Sequence, residues 1–533
     1  MYFNSTRIPY RQTGFFTNIV LDYLDQAEQL TPFFSFAPGL QGIQKAVEER
    51  KKHTVDRKAL VAELKKQYSG VAAGTAVQNN IEALLSEKTF TITTAHQPNI
   101  FTGPVYFIYK IIHAVKLAAY CKESLPAYNF VPVFCMGSED ADLDELGHIF
   151  LGGKKQEWKT KQTGAVGRMK IDQEFIKLIN SIAGQLDVQP FGKEMMSIVK
   201  ECYQEGAMVQ DATFRFVNTL FGEYGLVVLI PDSAALKKQM IPVFEDDLLN
   251  QTASGILEKT IEKLNTAGYK VQVNPRAINL FYLNDNLRER IESLSTKYSV
   301  LNTEISFSKD ELIAELKGHP ERFSPNVILR GLFQCTVLPD IAFIGGGGEI
   351  AYWLELRELF EHYKSPFPVL VLRNSFLIME KKWKDKLNGL GLTMDDLFLS
   401  EEKLVTRLVK KESKQAVKLN GVFSNAEEFY NKIKNQAASV DSTLAQHVDA
   451  LKQQSLHRLH ELEKKMLRAE KKKFTSQQRQ IRILKETLFP NKGLQERQDN
   501  LLYYYSRWGR EFIHALYEQA QGLEQEFMVL QEK

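Results

Sequence analysis

The stretch that most constrains this chain runs from Phe90 to Met136. FTITT, residues 90–94, is short and β-branched and reads as a buried strand. Residues 105–120 place Ile108, Ile112, Val115 and Ala119 on one helical stripe. FVPVFCM, residues 130–136, reads as the next strand. Strand, helix, strand is the βαβ unit of a parallel sheet. Between the first strand and the helix lies TAHQPNIFTGP, with a His-Gln-Pro turn followed by Thr-Gly-Pro. It is either a loop between two packing elements or the floor of a site.

The pattern recurs. GLVVLIPD (225–232) is a strand ending in a turn, and 237–265 look helical. VQVNPRAINLFYL (271–283) reads as two short strands around Pro275. IAFIGGGGEIAYWLELRELFE (341–361) is a strand, a glycine loop and a helix, and FPVLVLRNS (367–375) is another strand. Such alternation predicts a doubly wound α/β core over residues 1–385, with irregular insertions over about 160–320. Residues 1–88 read as helical and polar. Beyond 385 the pattern changes. Residues 425–488 are rich in Lys, Glu and Gln and hold no Gly or Pro. Leu444, Val448 and Leu451, then Leu459, Leu462, Met466 and Ala469, keep coiled-coil spacing. Pro490 and Gly493 mark a break, and Tyr505, Trp508, Phe512 and Leu516, continuing to Leu523, Phe527 and Leu530, mark a final helix. The expectation for 386–533 is an α-helical domain built on a long antiparallel hairpin.

At 533 residues the chain is too long for one ordinary domain. Lys plus Arg number 68 against 65 acidic residues, a balance that gives no case for a bulk nucleic-acid binder. Cys121, Cys135, Cys202 and Cys335 form no C-x-x-C pair and read as reduced core thiols of a cytoplasmic protein. No signal peptide is read at the start, and no segment approaches the roughly 20 apolar residues of a membrane span.

Polar or glycine-rich turns follow the predicted strands, where one parallel sheet gathers them at its carboxyl edge. His96 and Gln97 end the first strand. Thr102 and Gly103 begin the helix, Thr102 as its cap, with Tyr106 in its first turn. GSEDADLDELGHI (137–149) packs Glu139, Asp140 and Asp142 ahead of His148, either to bind a metal or an amine, to act as base, or simply to satisfy a helix dipole. The glycines Gly346, Gly347 and Gly348 let backbone amides approach an anion, and Glu349 and Tyr352 fall on the following turn. SPNVILRGLFQCTVLPD (324–340) reads as an apolar strand with Asn326 and Arg330 as polar points, and Arg330 can clamp a carboxylate. Arg373 and Asn374 end another strand. No zinc-ligand pattern is found, and the basic run EKKMLRAEKKKF (463–474) reads as a solvated helix face.

Four segments, TAHQPNIFTGPVYFIYKIIHAVKLA, VPVFCMGSEDADLDELGHI, SPNVILRGLFQCTVLPDIAFIGGGGEIAYW and LQERQDNLLYYY, occur in the order found in the BshC family, and the chain resembles that family along essentially its whole length. The resemblance implies a Rossmann-like core of nucleotidyltransferase type with connecting-peptide insertions, similar to class I aminoacyl-tRNA synthetases, and a C-terminal coiled-coil domain. It implies a cytoplasmic homodimer that adds cysteine to glucosamine-malate as the last step of bacillithiol biosynthesis. It also implies that an adenine nucleotide can bind near the coiled-coil domain, away from the main core pocket; which cofactor serves the reaction, ATP or ADP among the possibilities, stays open. The family often reads T-G-Q-Q where this chain has Thr94-Ala95-His96-Gln97, and E-D-H-D where it has Glu139-Asp140-Ala141-Asp142. No K-M-S-K-S motif is present. The expected site therefore has His96, Gln97, Glu139, Asp140 and Asp142 at the reacting groups and the remaining residues named above around the substrates. Two other readings stay open: a non-catalytic nucleotide-binding scaffold, and a synthetase-like nucleotidyltransferase.

Overall fold

The computed structural model describes residues 3–271, 273–294, 297–413 and 418–533. Its centre is a five-stranded sheet formed by β1 (Thr89–His96), β2 (Asn129–Met136), β3 (Val227–Leu229), β4 (Asp340–Gly345) and β5 (Val369–Leu372) in the order β5-β4-β1-β2-β3. Every pairing is parallel: Gly345 with Leu372, Ile344 with Thr94, His96 with Met136, Cys135 with Leu229. This is the Rossmann-like order, in which the chain winds outward from β1 first to one side and then to the other. The strands are near-continuous apolar or β-branched runs because both faces are covered. Helix α1 (Tyr106–Ser124) packs on one face, where Ala114, Leu117 and Ala118 meet Ile92, Ile344 and Val371.

Between β3 and β4 the chain forms helices and a second, antiparallel sheet of Leu280–Asn284, Leu287–Leu294, Lys297–Val300, Ser306–Phe307 and Phe323–Pro325. This falls in the stretch expected to be irregular. Of the two strands expected around Pro275, only Leu280–Asn284 forms, and Gln272 lies outside the described residues.

Three expectations differ from the observed elements. The apolar run after Ser324 is a helix, α2 (Val327–Val337), not a strand. Asn326 caps it, its side chain accepting from the N–H groups of Ile328 at 2.9 Å and Leu329 at 3.4 Å. A short helix buried almost all round lacks the polar face that would reveal its period. Residues 3–9, within the stretch read as helical, form a strand. That strand is in one sheet with Glu526–Glu532, which stands where a final helix was expected. Phe527, Met528, Val529 and Leu530 are all buried because this strand is the middle one, so an unbroken apolar run replaces the alternation of a half-exposed strand.

The helical hairpin also turns elsewhere than expected. Asn420–Val440 packs antiparallel on Leu444–Lys471, joined by Tyr430 to Ser455 at 2.6 Å and Lys434 to Asp449 at 2.6 Å. The turn needs no Gly or Pro, because the Asp441 carboxylate accepts from both the N–H and the hydroxyl of Thr443 at 2.8 Å. By contact the chain divides into Met1–Leu377 with Leu494–Leu530, and Ile378–Gly493 with Gln531–Lys533. Residues 494–530, which periodicity assigned to the helical domain, thus belong to the unit that contains the sheet.

Candidate active site

The sheet order reverses between β1 and β4, and in open α/β sheets a crevice opens there at the carboxyl ends of the strands. Here a cavity of about 590 Å³ lies at those ends. His96, Gln97, Tyr106, Glu139, Asp140, Asn326, Arg330, Gly346, Gly347, Gly348, Glu349, Tyr352 and Arg373 all line it. Residues scattered over some 280 positions meet because parallel strands deliver their exit turns to one edge.

The remaining sequence candidates lie elsewhere. Asp142 caps the short helix Leu143–Leu146, accepting from the Glu145 N–H at 3.0 Å. His148 Nδ1 pairs with the Asp144 carbonyl at 2.7 Å. Asn374 is buried, its N–H donating to His113 Nδ1 at 3.0 Å and its side-chain oxygen accepting from Gln521 N–H at 2.9 Å. Thr102 does not cap the helix: its hydroxyl donates to the Phe101 carbonyl at 2.6 Å, and Phe101 and Thr102 both hold positive φ. Gly103 has φ +59°, and a Cβ there would stand 2.7 Å from Cβ of Asn99. The opening stretch therefore splits, with His96 and Gln97 at the cavity and Thr102–Gly103 serving architecture.

Two groupings dominate the walls. On one side Asp140 accepts from Gln97 Nε2 at 3.3 Å. Burial opposes its ionisation, but the guanidinium groups of Arg330 and Arg288 outweigh that and hold its carboxyl below the usual range. Burial and the neighbouring Arg330 push Arg288 down to about 10. Its guanidinium stacks over Phe281 at 3.8 Å and donates to Ser324 Oγ at 3.1 Å. Glu139 is engaged differently. Its carboxylate pairs with fully buried Lys237, which also holds Asp232 at 2.9 Å and the Glu321 carbonyl at 3.0 Å. Arg168 closes this cluster with two bonds to Asp232, at 2.8 and 2.9 Å.

On the other side Lys110 pairs with Glu349 and donates to the Ala95 carbonyl at 2.9 Å. Burial lowers the Lys110 pKa, opposed by that carboxylate. Glu349 also accepts the Gly346 N–H at 2.8 Å, so it closes the glycine turn as a capping residue. His96 sits edge-on to Tyr106 and Phe107, with ring centres 5.3 and 5.2 Å away. Burial, then Lys110 and Arg373, hold its pKa well below the ordinary value, so the ring is neutral. Its Nε2 is buried with no hydrogen-bond partner among the described residues. Arg373 Nε is in the same condition.

Sequence reasoning missed Lys110, Arg276, Arg288, Arg290 and Arg497, which all line the cavity. Lys110 sits one helical turn beyond Tyr106, facing the strand end, and that spacing was the available signal. The arginines of 276–290 belong to the inserted segment and Arg497 to the returning C-terminal stretch, and no local pattern ties either to the sheet edge. Together these cations exceed Glu139, Asp140 and Glu349, and two of those three carboxylates are already paired, so the cavity is suited to anionic ligands.

A Rossmann-like sheet with a polar cavity at its switch point defines an α/β enzyme acting on small molecules. Comparison with known proteins narrows this. A family model described as "Bacillithiol biosynthesis BshC, N-terminal Rossmann-like domain" matches residues 3–374, and one described as "Bacillithiol biosynthesis BshC, C-terminal coiled-coil domain" matches residues 376–532. The chain is 38% identical over 526 residues to a protein of Flavobacterium psychrophilum, covering 98% of both chains. It is 39% identical over 527 residues to one of Flavobacterium johnsoniae, covering 98% of this chain and 99% of the relative. With one of Christiangramia forsetii it shares 39% over 536 residues, covering 98% of both. Each of the three carries the name "Putative cysteine ligase BshC". The chain belongs to the BshC family.

Proposed function

We propose that this chain joins L-cysteine to glucosamine-malate, forming the amide bond that completes bacillithiol. The observation that carries the reading is the cavity at the switch point, which gathers the polar segments behind the family resemblance and presents more cations than carboxylates. The glucosamine amine, as the free base, attacks the activated cysteine carboxyl carbon: the C–N bond forms, the bond from that carbon to its activated oxygen breaks, the oxygen leaves on the phosphoryl group of the activator, and the surplus proton on nitrogen passes to water. Asp140, ionised beside Arg330 and Arg288, holds the cysteine ammonium group. The cavity arginines hold the malate carboxylates. His96, neutral and with Nε2 unpartnered, orients the reacting carboxyl. Glu139 is a supporting residue in this scheme, because Lys237 occupies its carboxylate.

ATP is the proposed activator of the carboxyl, and guanidinium groups that fit carboxylates also fit its phosphates. The chain is further proposed to work as a cytoplasmic homodimer, which light scattering of the purified protein tests. The main experiment incubates the full-length chain with cysteine and glucosamine-malate, with and without ATP, and follows bacillithiol and AMP or ADP by mass spectrometry. Product dependent on ATP is expected, and Asp140→Asn is expected to lower kcat/KM by about 100-fold, with His96→Ala similar. Absence of product under every nucleotide condition, or full activity in both folded variants, overturns the reading.

A further inference from the structure

Arg373 ends β5 and reaches the cavity, yet most of its guanidinium is already engaged. One terminal nitrogen donates to the Asn374 carbonyl at 3.0 Å and to Ser375 Oγ at 3.1 Å. The other donates to Glu496 Oε1 at 2.6 Å. Only Nε has no partner among the described residues. The point where a Cβ on Gly346 would stand lies 3.5 Å from this donor and 3.5 Å from Glu349 Oε2, so the missing side chain leaves a gap the size of one Cβ beside both groups. The Tyr106 ring, 5.1 Å from the guanidinium carbon, closes another flank.

Glu496 has no solvent exposure. Its Oε1 also accepts from Ser375 Oγ at 3.3 Å, and its Oε2 accepts the Phe376 N–H at 3.2 Å. Three donors converge on one carboxylate. That arrangement fixes the plane of the Arg373 guanidinium and hence the direction of Nε–H. Every element involved belongs to the same compact unit.

We infer that Glu496 is a positioning residue that holds Arg373 so that Nε–H donates to an oxyanion of the ligand, a carboxylate or a phosphate, in the space beside Gly346. The inference rests on the reading of the cavity as a site for anionic substrates, and deepens it by naming the residue that aims one of its donors. Glutamine at 496 cannot substitute: its amide nitrogen would face a donor on either side, leaving Arg373 unpaired or Phe376 N–H opposed.

The test is a double-mutant cycle on the full-length chain, read as binding of malate and, separately, of inorganic phosphate by titration calorimetry. E496Q and R373M are each expected to weaken at least one of the two anions about tenfold or more, the loss of one charge-assisted hydrogen bond. The double variant is expected to bind no more weakly than R373M, because Glu496 acts only through Arg373. The anion that responds identifies carboxylate or phosphate as the group bound. Losses that multiply in the double variant, wild-type affinity in folded E496Q, or no binding of either anion by the wild-type chain overturn the inference. Where E496Q does not fold, E496D enters the cycle in its place with the same readings. Binding is measured without turnover, so failure of amide formation would leave this result standing.

Discussion

At the scale of single residues, Asp340 shows what the sheet interior does to a carboxyl. It begins β4, buried, bonded to Gln334 Nε2 at 2.7 Å and to the Thr91 hydroxyl at 3.2 Å. Burial pushes its pKa up to about 7, against these hydrogen bonds and the nearby Arg50. An acid whose folded pKa lies above its unfolded value keeps its proton in the native state after the unfolded chain has lost it. Stability therefore falls as pH rises from about 4 towards 7, and then levels off. The loss from this one group is on the order of a few kcal/mol. Asp340→Asn, which has no proton to lose, is expected to flatten that part of the profile and to be the more stable form at pH 8. Urea unfolding of both proteins between pH 4 and 8 measures it, and parallel profiles would contradict the assignment. Asp140 is the opposite case: cationic neighbours keep its charge, which suits it to hold an ammonium group.

At the scale of elements, the turn into α1 depends on a partner far along the chain. Asn500, fully buried, donates its side-chain amide to the carbonyls of Phe101 and Gly103, and the Asp499 carbonyl accepts the Val105 N–H at 2.6 Å. These bonds support two consecutive non-glycine residues at positive φ. Asn500→Ala removes the donor to the Gly103 carbonyl, one of the donors to the Phe101 carbonyl and the acceptor of the Leu502 N–H, and is expected to cost about 1–3 kcal/mol, measured by chemical denaturation. This dependence also explains what the sequence could show. The strands β1, β2 and β5 were legible because parallel strands buried on both faces are continuous apolar or β-branched runs. The exit turns of β1, β2, β4 and β5 were legible as polar or glycine residues directly after those runs. Helix α2 and the strand Glu526–Glu532 were not, since elements buried all round have no polar face to set the period. The hairpin turn at Asp441 was hidden because a carboxylate took the part of a glycine. Arg288 and Arg497 were out of reach because each enters the cavity from a segment whose path only tertiary packing fixes.

At the scale of the whole molecule, the unit that carries the cavity is assembled from two separated pieces of chain, Met1–Leu377 and Leu494–Leu530. The second piece supplies Arg497 to the cavity, Glu496 to Arg373, Asn500 to the turn after β1, and the middle strand of the sheet that includes Phe3–Pro9. A fragment ending at Leu377 lacks all of these and is expected to show no cooperative thermal transition by circular dichroism. Co-expression with residues 494–533 is expected to restore one, and a cooperative transition in the fragment alone would show the second piece to be dispensable. The order of synthesis adds a consequence. The ribosome releases β1 to β5 long before the segment that locks Arg373 and pins the β1 exit turn, so these strands wait for that segment before the unit folds cooperatively. A chain cut short in the helical region lacks Glu496, Arg497 and Asn500 and is expected to be inactive. The segment 494–530 thus sets the moment in synthesis at which the cavity is expected to become fixed.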